Sequence, residues 1–154
     1  MPSDPVYNIL LSSLSFFSPS SSSPFASTLN ELGRYLQNKL SNDNDNDNSF
    51  TLFMEVAKRY QEAIEIFETN HDYVNATFIL CNISRLFCYP FTSSVLVCHA
   101  NTQNCDKNGN KQQQQSKIKW IKQVYEGLRW FNSHCDNILQ SSCDQSLKEG
   151  VRFQ

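Results

Sequence analysis

Apolar side chains recur with a helical period in four stretches of this chain. The clearest stripe follows the spacing i, i+3, i+4 and i+7 and consists of Tyr60, Ala63, Ile64 and Phe67. This spacing places side chains on one face of an α-helix. The same spacing returns after a short polar turn. The whole pattern predicts an all-α chain with helices over residues 27–40, 50–69, 74–87 and 118–132 and with no strand.

The predicted helices resemble one another in pairs. Residues 122–138 align without gaps on residues 58–74, so that Gly127 matches Ala63 and Leu128 matches Ile64. Small residues fall at the equivalent point of each predicted helix: Gly33, Ala63, Ser84 and Gly127. A small side chain lets two helices approach closely. This self-similarity resembles tetratricopeptide-like repeats, and it predicts two degenerate antiparallel helix pairs.

Polar low-complexity tracts interrupt the repeats. Residues 42–48 alternate Asn and Asp, and residues 108–115 are rich in Asn and Gln. Such tracts cannot bury enough apolar surface to offset their ordering entropy. We therefore expect a disordered Ser/Pro-rich segment at 1–25, repeats over 26–140 with inserts at 41–49 and 89–116, and a tail at 141–154. Because two repeats are fewer than the three or so that stacking usually needs, we expect part of a longer solenoid.

One run of residues resembles a narrower family. The order Leu80, Cys81, Asn82, Ile83, Ser84 and Arg85 follows the run Tyr60–Phe67 of the preceding predicted helix. This order is similar to the repeat region of the erythroid differentiation-related factor 1 family. The resemblance implies a nuclear protein associated with transcriptional regulation, with the cytoplasm as the alternative location.

Charge and motif content argue against several classes of function. The chain has 13 basic and 15 acidic residues, so it lacks the basic footprint of a nucleic-acid-binding domain. The apolar run at residues 7–17 is too short to span a membrane. The six cysteines form no CxxC pair, and the chain has no phosphate loop, GxSxG or HExxH motif. We therefore expect no enzyme activity, small-molecule substrate, metal site or cofactor.

A binding surface follows from the repeat geometry. The first helix of each stacked pair lines the concave face of a solenoid, and four residues fall there: Asn30, Arg34, Cys81 and Arg85. Arginine in a groove suits acidic peptides, although both arginines could instead pair with local glutamates. The predicted function is a scaffold that binds a protein or peptide partner. The alternative is an architectural segment of a larger solenoid without a partner of its own.

Overall fold

The computed structural model describes residues 4–17, 22–42, 46–92 and 109–152, and this part of the chain contains helices and no strand. The predicted all-α class is therefore confirmed. The five helices within these ranges are α1 (Pro5–Leu14), α2 (Ser23–Asn42), α3 (Asn46–Thr69), α4 (Tyr73–Thr92) and α5 (Gly109–Arg152). The four helices predicted from periodicity lie inside α2, α3, α4 and α5.

Helix α1 corrects the expectation of a disordered segment at 1–25. Asp4 caps this helix by accepting hydrogen bonds from the backbone N–H groups of Val6 and Tyr7, at 3.1 and 3.3 Å. Pro5 follows at the first helical position, where its missing N–H costs nothing. Leu10 and Leu14 then pack against the common core. The cap and this apolar contact together support a helix within a Ser/Pro-rich segment.

Helices also extend into the expected inserts and the tail. Helix α2 continues to Asn42 and α3 begins at Asn46, so that residues 43–45 of the first insert lie outside the described part. Helix α4 continues to Thr92, and α5 covers residues 109–152, including most of the expected tail. Residues 93–108 of the second insert lie outside the described part. Glutamine and lysine are good helix formers, which is why a low-complexity tract can extend a helix.

A tight turn reverses the chain between α3 and α4. His71 adopts a left-handed conformation with φ of 57° just after α3, as is common at a helix C-terminus. The Asp72 N–H donates to the Phe67 carbonyl at 2.8 Å. The Asp72 carboxylate in turn accepts from the Asn75 backbone at 3.2 Å and from its side chain at 2.7 Å. The two helices are therefore held antiparallel by a three-residue connection.

Contacts along the helices define two layers. Asn82 of α4 contacts Asn30 of α2, and seven residues later Tyr89 contacts Leu40. Because the contacts follow the same order along both helices, α2 and α4 run parallel. The same holds for α3 and α5. The Phe53 and Trp120 rings are 4.9 Å apart near one end of this pair, and Glu68 contacts His134 near the other. Four successive antiparallel helices thus alternate between an α2/α4 layer and an α3/α5 layer.

The core lies between these layers, and the predicted stripe faces it. Every member of the stripe is buried: Tyr60, Ala63, Ile64 and Phe67. The small-residue positions mark close helix contacts. An ideal Cβ on Gly33 would lie 2.7 Å from the Tyr60 ring of α3, and one on Gly127 would lie 2.5 Å from the Phe87 ring of α4.

One position of the repeat alignment does not keep its environment. Leu128 matches Ile64 in sequence, yet Leu128 is 41% exposed whereas Ile64 is completely buried. Helix α5 contacts α4 and, less extensively, α3. With no further helix among the described residues packed on it, the Leu128 side of α5 stays open.

Candidate functional site

The four predicted groove residues come from α2 and α4, which form one layer. Asn82 Nδ2 donates a hydrogen bond to Asn30 Oδ1 at 3.2 Å, and this contact ties the two helices side by side. The side-chain oxygen of Asn30 therefore already accepts a hydrogen bond from within the chain. Asn82 was not among the predicted site residues, although it follows Cys81 directly in the motif that suggested them.

Both arginines are exposed, and both act electrostatically on the buried Tyr60 of α3. Burial raises the pKa of the Tyr60 hydroxyl far above its usual value, and the positive charges of Arg34 and Arg85 act on that pKa in the opposite direction. Both guanidinium groups are therefore close enough to the same buried hydroxyl to influence it. Tyr60 itself donates to Gln37 Oε1 at 2.7 Å.

The arginines differ in their local pairing. Arg34 Nη1 lies 3.0 Å from Glu31 Oε1 within the same helix, and its side chain is 58% exposed. An exposed pair of this kind contributes little to stability and exchanges readily with solvent. Arg85 is exposed and forms no ion pair with any residue that the structure describes. The expectation of local glutamate pairing thus holds for Arg34 and not for Arg85 within this part of the chain.

Cys81 is exposed and lies one helical turn before Arg85 on α4. Phe78 is 67% exposed and lies four residues before Asn82, on the same side of α4. The candidate surface therefore consists of six residues, which we call the α2/α4 face: Asn30, Arg34, Phe78, Cys81, Asn82 and Arg85.

A second concave feature lies between α3 and α5. This cleft has a volume of about 540 Å³, and its lining includes Phe53, Phe87 and Gly127. Met54 and Lys58 of α3 and Glu126 of α5 also line it. Sequence reasoning did not find the cleft because its residues come from three helices and share no motif.

The described residues contain neither a metal-binding cluster nor a membrane-spanning helix. They contain no group of three or more His, Cys, Asp or Glu side chains that could hold a metal ion. None of the helices within the described ranges has the length and apolar character needed to cross a membrane. The α2/α4 face carries cationic, amide and aromatic groups on neighbouring helices. Such groups bind by charge, hydrogen bonding and apolar contact.

Comparisons with protein-family models, with curated proteins and with solved structures gave no match.

Proposed function

We propose that this chain is a protein–protein interaction scaffold that binds an acidic peptide segment across its α2/α4 face. The observation that carries this proposal is the hydrogen bond between Asn82 and Asn30. It fixes α2 beside α4, so that Arg34 and Arg85 belong to one surface rather than to separate helices. A partner segment that lies across both helices would meet both positive charges.

The chemistry of this face selects the partner class. A guanidinium group binds a carboxylate through two parallel hydrogen bonds, which are stronger than neutral ones. Phe78 adds a large apolar side chain that is mostly exposed, and aromatic and arginine residues supply much of the binding energy at interfaces. An acidic segment with one apolar side chain matches this arrangement.

The architecture proposed for the scaffold is a pair of tetratricopeptide-like repeats. The parallel relation of α2 to α4 and of α3 to α5 supports it, because successive repeats place equivalent helices side by side. The resemblance to the erythroid differentiation-related factor 1 family supports a nuclear location and a regulatory role in transcription, with the cytoplasm as the alternative.

Peptide binding to the purified chain tests the proposal. Fluorescence anisotropy with a panel of labelled peptides, each holding several Asp or Glu residues and one Phe or Leu, should identify binders. Replacement of Arg34 and Arg85 by Ala should weaken their affinity by ~10-fold or more. The affinity of the unchanged chain should also fall as salt is raised.

A matched control removes the same amount of charge elsewhere. Lys58→Ala with Lys122→Ala also deletes two positive charges, from exposed positions on α3 and α5. This variant should bind the peptides as the unchanged chain does. Equal losses in the two variants would indicate nonspecific attraction. Loss in the control alone would favour the cleft between α3 and α5, where Lys58 lies. Absence of any binder would favour the architectural alternative.

A further inference from the structure

Helix α5 carries apolar residues on two different faces. One face is buried against α3 and α4 and includes Trp120, Val124 and Ile138, each 5% exposed or less. The other face is turned to solvent, and its apolar side chains are between 41% and 65% exposed: Ile118, Ile121, Tyr125, Leu128 and Leu139. With 100° of rotation per residue, the two faces lie about 100° apart around the helix axis. The second face is therefore not needed for packing within the described part of the chain.

The exposed face has the spacing of a coiled coil. Steps of three and four residues alternate from the first member to the last: Ile118, Ile121, Tyr125, Leu128, Asn132, Cys135 and Leu139. All of them are exposed except Cys135, which is half-buried and packs against the core of its own chain. We call this set the α5 seam. Its members occupy successive a and d positions over three heptads, a period of 3.5 residues. Such a period keeps the seam aligned with a second helix along its whole length. The expected occupant of the seam is therefore another helix.

We propose that the α5 seam pairs with the α5 seam of a second copy of this chain, in parallel and in register. Asn132 is the residue that specifies both the parallel orientation and the register. It occupies an a position between Leu128 and Cys135, and it is exposed in the single chain. In a parallel, in-register pair it faces its own counterpart, so that the two amides hydrogen-bond to each other. A single Asn at an a position is known to specify register and oligomeric state.

In an antiparallel pair, the hydrogen-bonding groups of the Asn132 side chain find less suitable partners. In that arrangement each a residue faces a d residue of the partner helix. The d residues of the seam are Ile121, Leu128 and Cys135, none of which completes the hydrogen bonds of an amide. Leaving a buried amide unpaired costs free energy.

The position of the seam leaves room for a second copy. Because the buried face lies about 100° away from the seam around the helix axis, the rest of each copy extends to the side of the pair. A two-fold axis parallel to the helices places the two bodies on opposite sides. Each copy then contributes the same residues to the interface, as two-fold symmetry requires.

Mass measurement of the full chain tests the proposal. Sedimentation equilibrium should give a species of twice the 17.7 kDa chain mass, with concentration dependence that follows mass action. Leu128→Glu should weaken association by ~100-fold or more, because the pair would bury an unpaired carboxylate. Ile9→Glu provides the matched control, since Ile9 lies on α1 and is 66% exposed. It should dimerise normally. Circular dichroism should show both variants helical.

Cysteine cross-linking tests the parallel register. A chain in which all six cysteines are replaced by serine provides the background, and Leu139→Cys then places a single thiol at an exposed a position of the seam. Mild oxidation of that variant should give a disulfide-linked dimer, whereas the cysteine-free background should give none. A chain that stays monomeric up to ~100 µM, a dimer that tolerates Leu128→Glu, or a dimer that Leu139→Cys cannot link would each overturn the proposal.

Discussion

Gly127 of α5 lies against the aromatic ring of Phe87 of α4, so closely that an added Cβ would be 2.5 Å from two ring carbons. The Phe87 side chain is buried and takes part in the core beside Phe53, whose ring centroid is 6.3 Å away. The ring also borders the cleft between α3 and α5. This contact sets how closely α4 and α5 can approach.

The first prediction concerns this contact. Gly127→Ala should destabilise the chain by about 1 kcal/mol, because overpacking of about 1–3 kcal/mol exceeds the gain of about 1 kcal/mol in helix propensity. Urea unfolding followed by circular dichroism measures the difference. The double change Gly127→Ala with Phe87→Leu should lose less stability than the sum of the two single changes. Additive losses would contradict a direct contact.

The second prediction concerns Ala63, which is completely buried in α3. Ala63→Trp should destabilise by about 3 kcal/mol, because a large ring has no space among the packed helices. Glu65→Trp introduces the same side chain at an exposed position two residues away and should change the free energy of unfolding little. Thermal unfolding of both variants provides the comparison. Similar losses would show that Ala63 does not lie at a close helix contact.

The third prediction concerns the docking of α1. Asp4 accepts hydrogen bonds from Lys39 and Tyr35 of α2, and these bonds hold the pKa of its carboxyl well below the usual value. Because this pKa is lower in the folded than in the unfolded state, the carboxylate stabilises the docked helix at pH values above its unfolded-state pKa of about 4. This stabilisation is lost as the pH falls below about 4.

Hydrogen exchange of the α1 amides measures this docking. Protection should decrease as pH falls below about 4, once exchange rates are corrected for their intrinsic pH dependence. In Asp4→Asn, protection should be weaker at neutral pH and should change less with pH. Glu31→Gln changes an exposed carboxylate of α2 and should behave as the unchanged chain. A pH dependence that persists in Asp4→Asn would contradict the assignment.

The fourth prediction concerns the pair that joins α3 to α5. His134 Nδ1 lies 2.7 Å from Glu68 Oε2, and both side chains are less than one-fifth exposed. His134→Ala should destabilise by about 1–3 kcal/mol, because it leaves a largely buried carboxylate without this partner. Replacing both residues by Leu should cost less than His134→Ala alone. Urea unfolding of the unchanged chain and the two variants measures these differences, and a double variant less stable than His134→Ala would contradict this account.

Local sequence pattern determined much of the helical framework. The stripe through Tyr60, Ile64 and Phe67 repeats at the helical period, and all three side chains are buried. Periodicity depends only on residues within two turns of one another, so it can be recognised without knowledge of the partners. For the same reason, the small residues Gly33 and Gly127 could be identified as points of close approach before their neighbours were known.

Tertiary structure decided which face of each helix stays open. Helix α5 has two apolar faces with helical spacing, and only the arrangement of α3 and α4 buries Trp120 while leaving Leu128 exposed. The candidate site depends on packing in the same way, because the helices bury Tyr60 while they leave Arg34 and Arg85 exposed. Helical period therefore specifies a face, whereas burial of that face depends on neighbours that are distant in sequence. The amino-acid sequence by itself determined the central parts of four helices and which residues could face a partner, and tertiary packing decided which of them do.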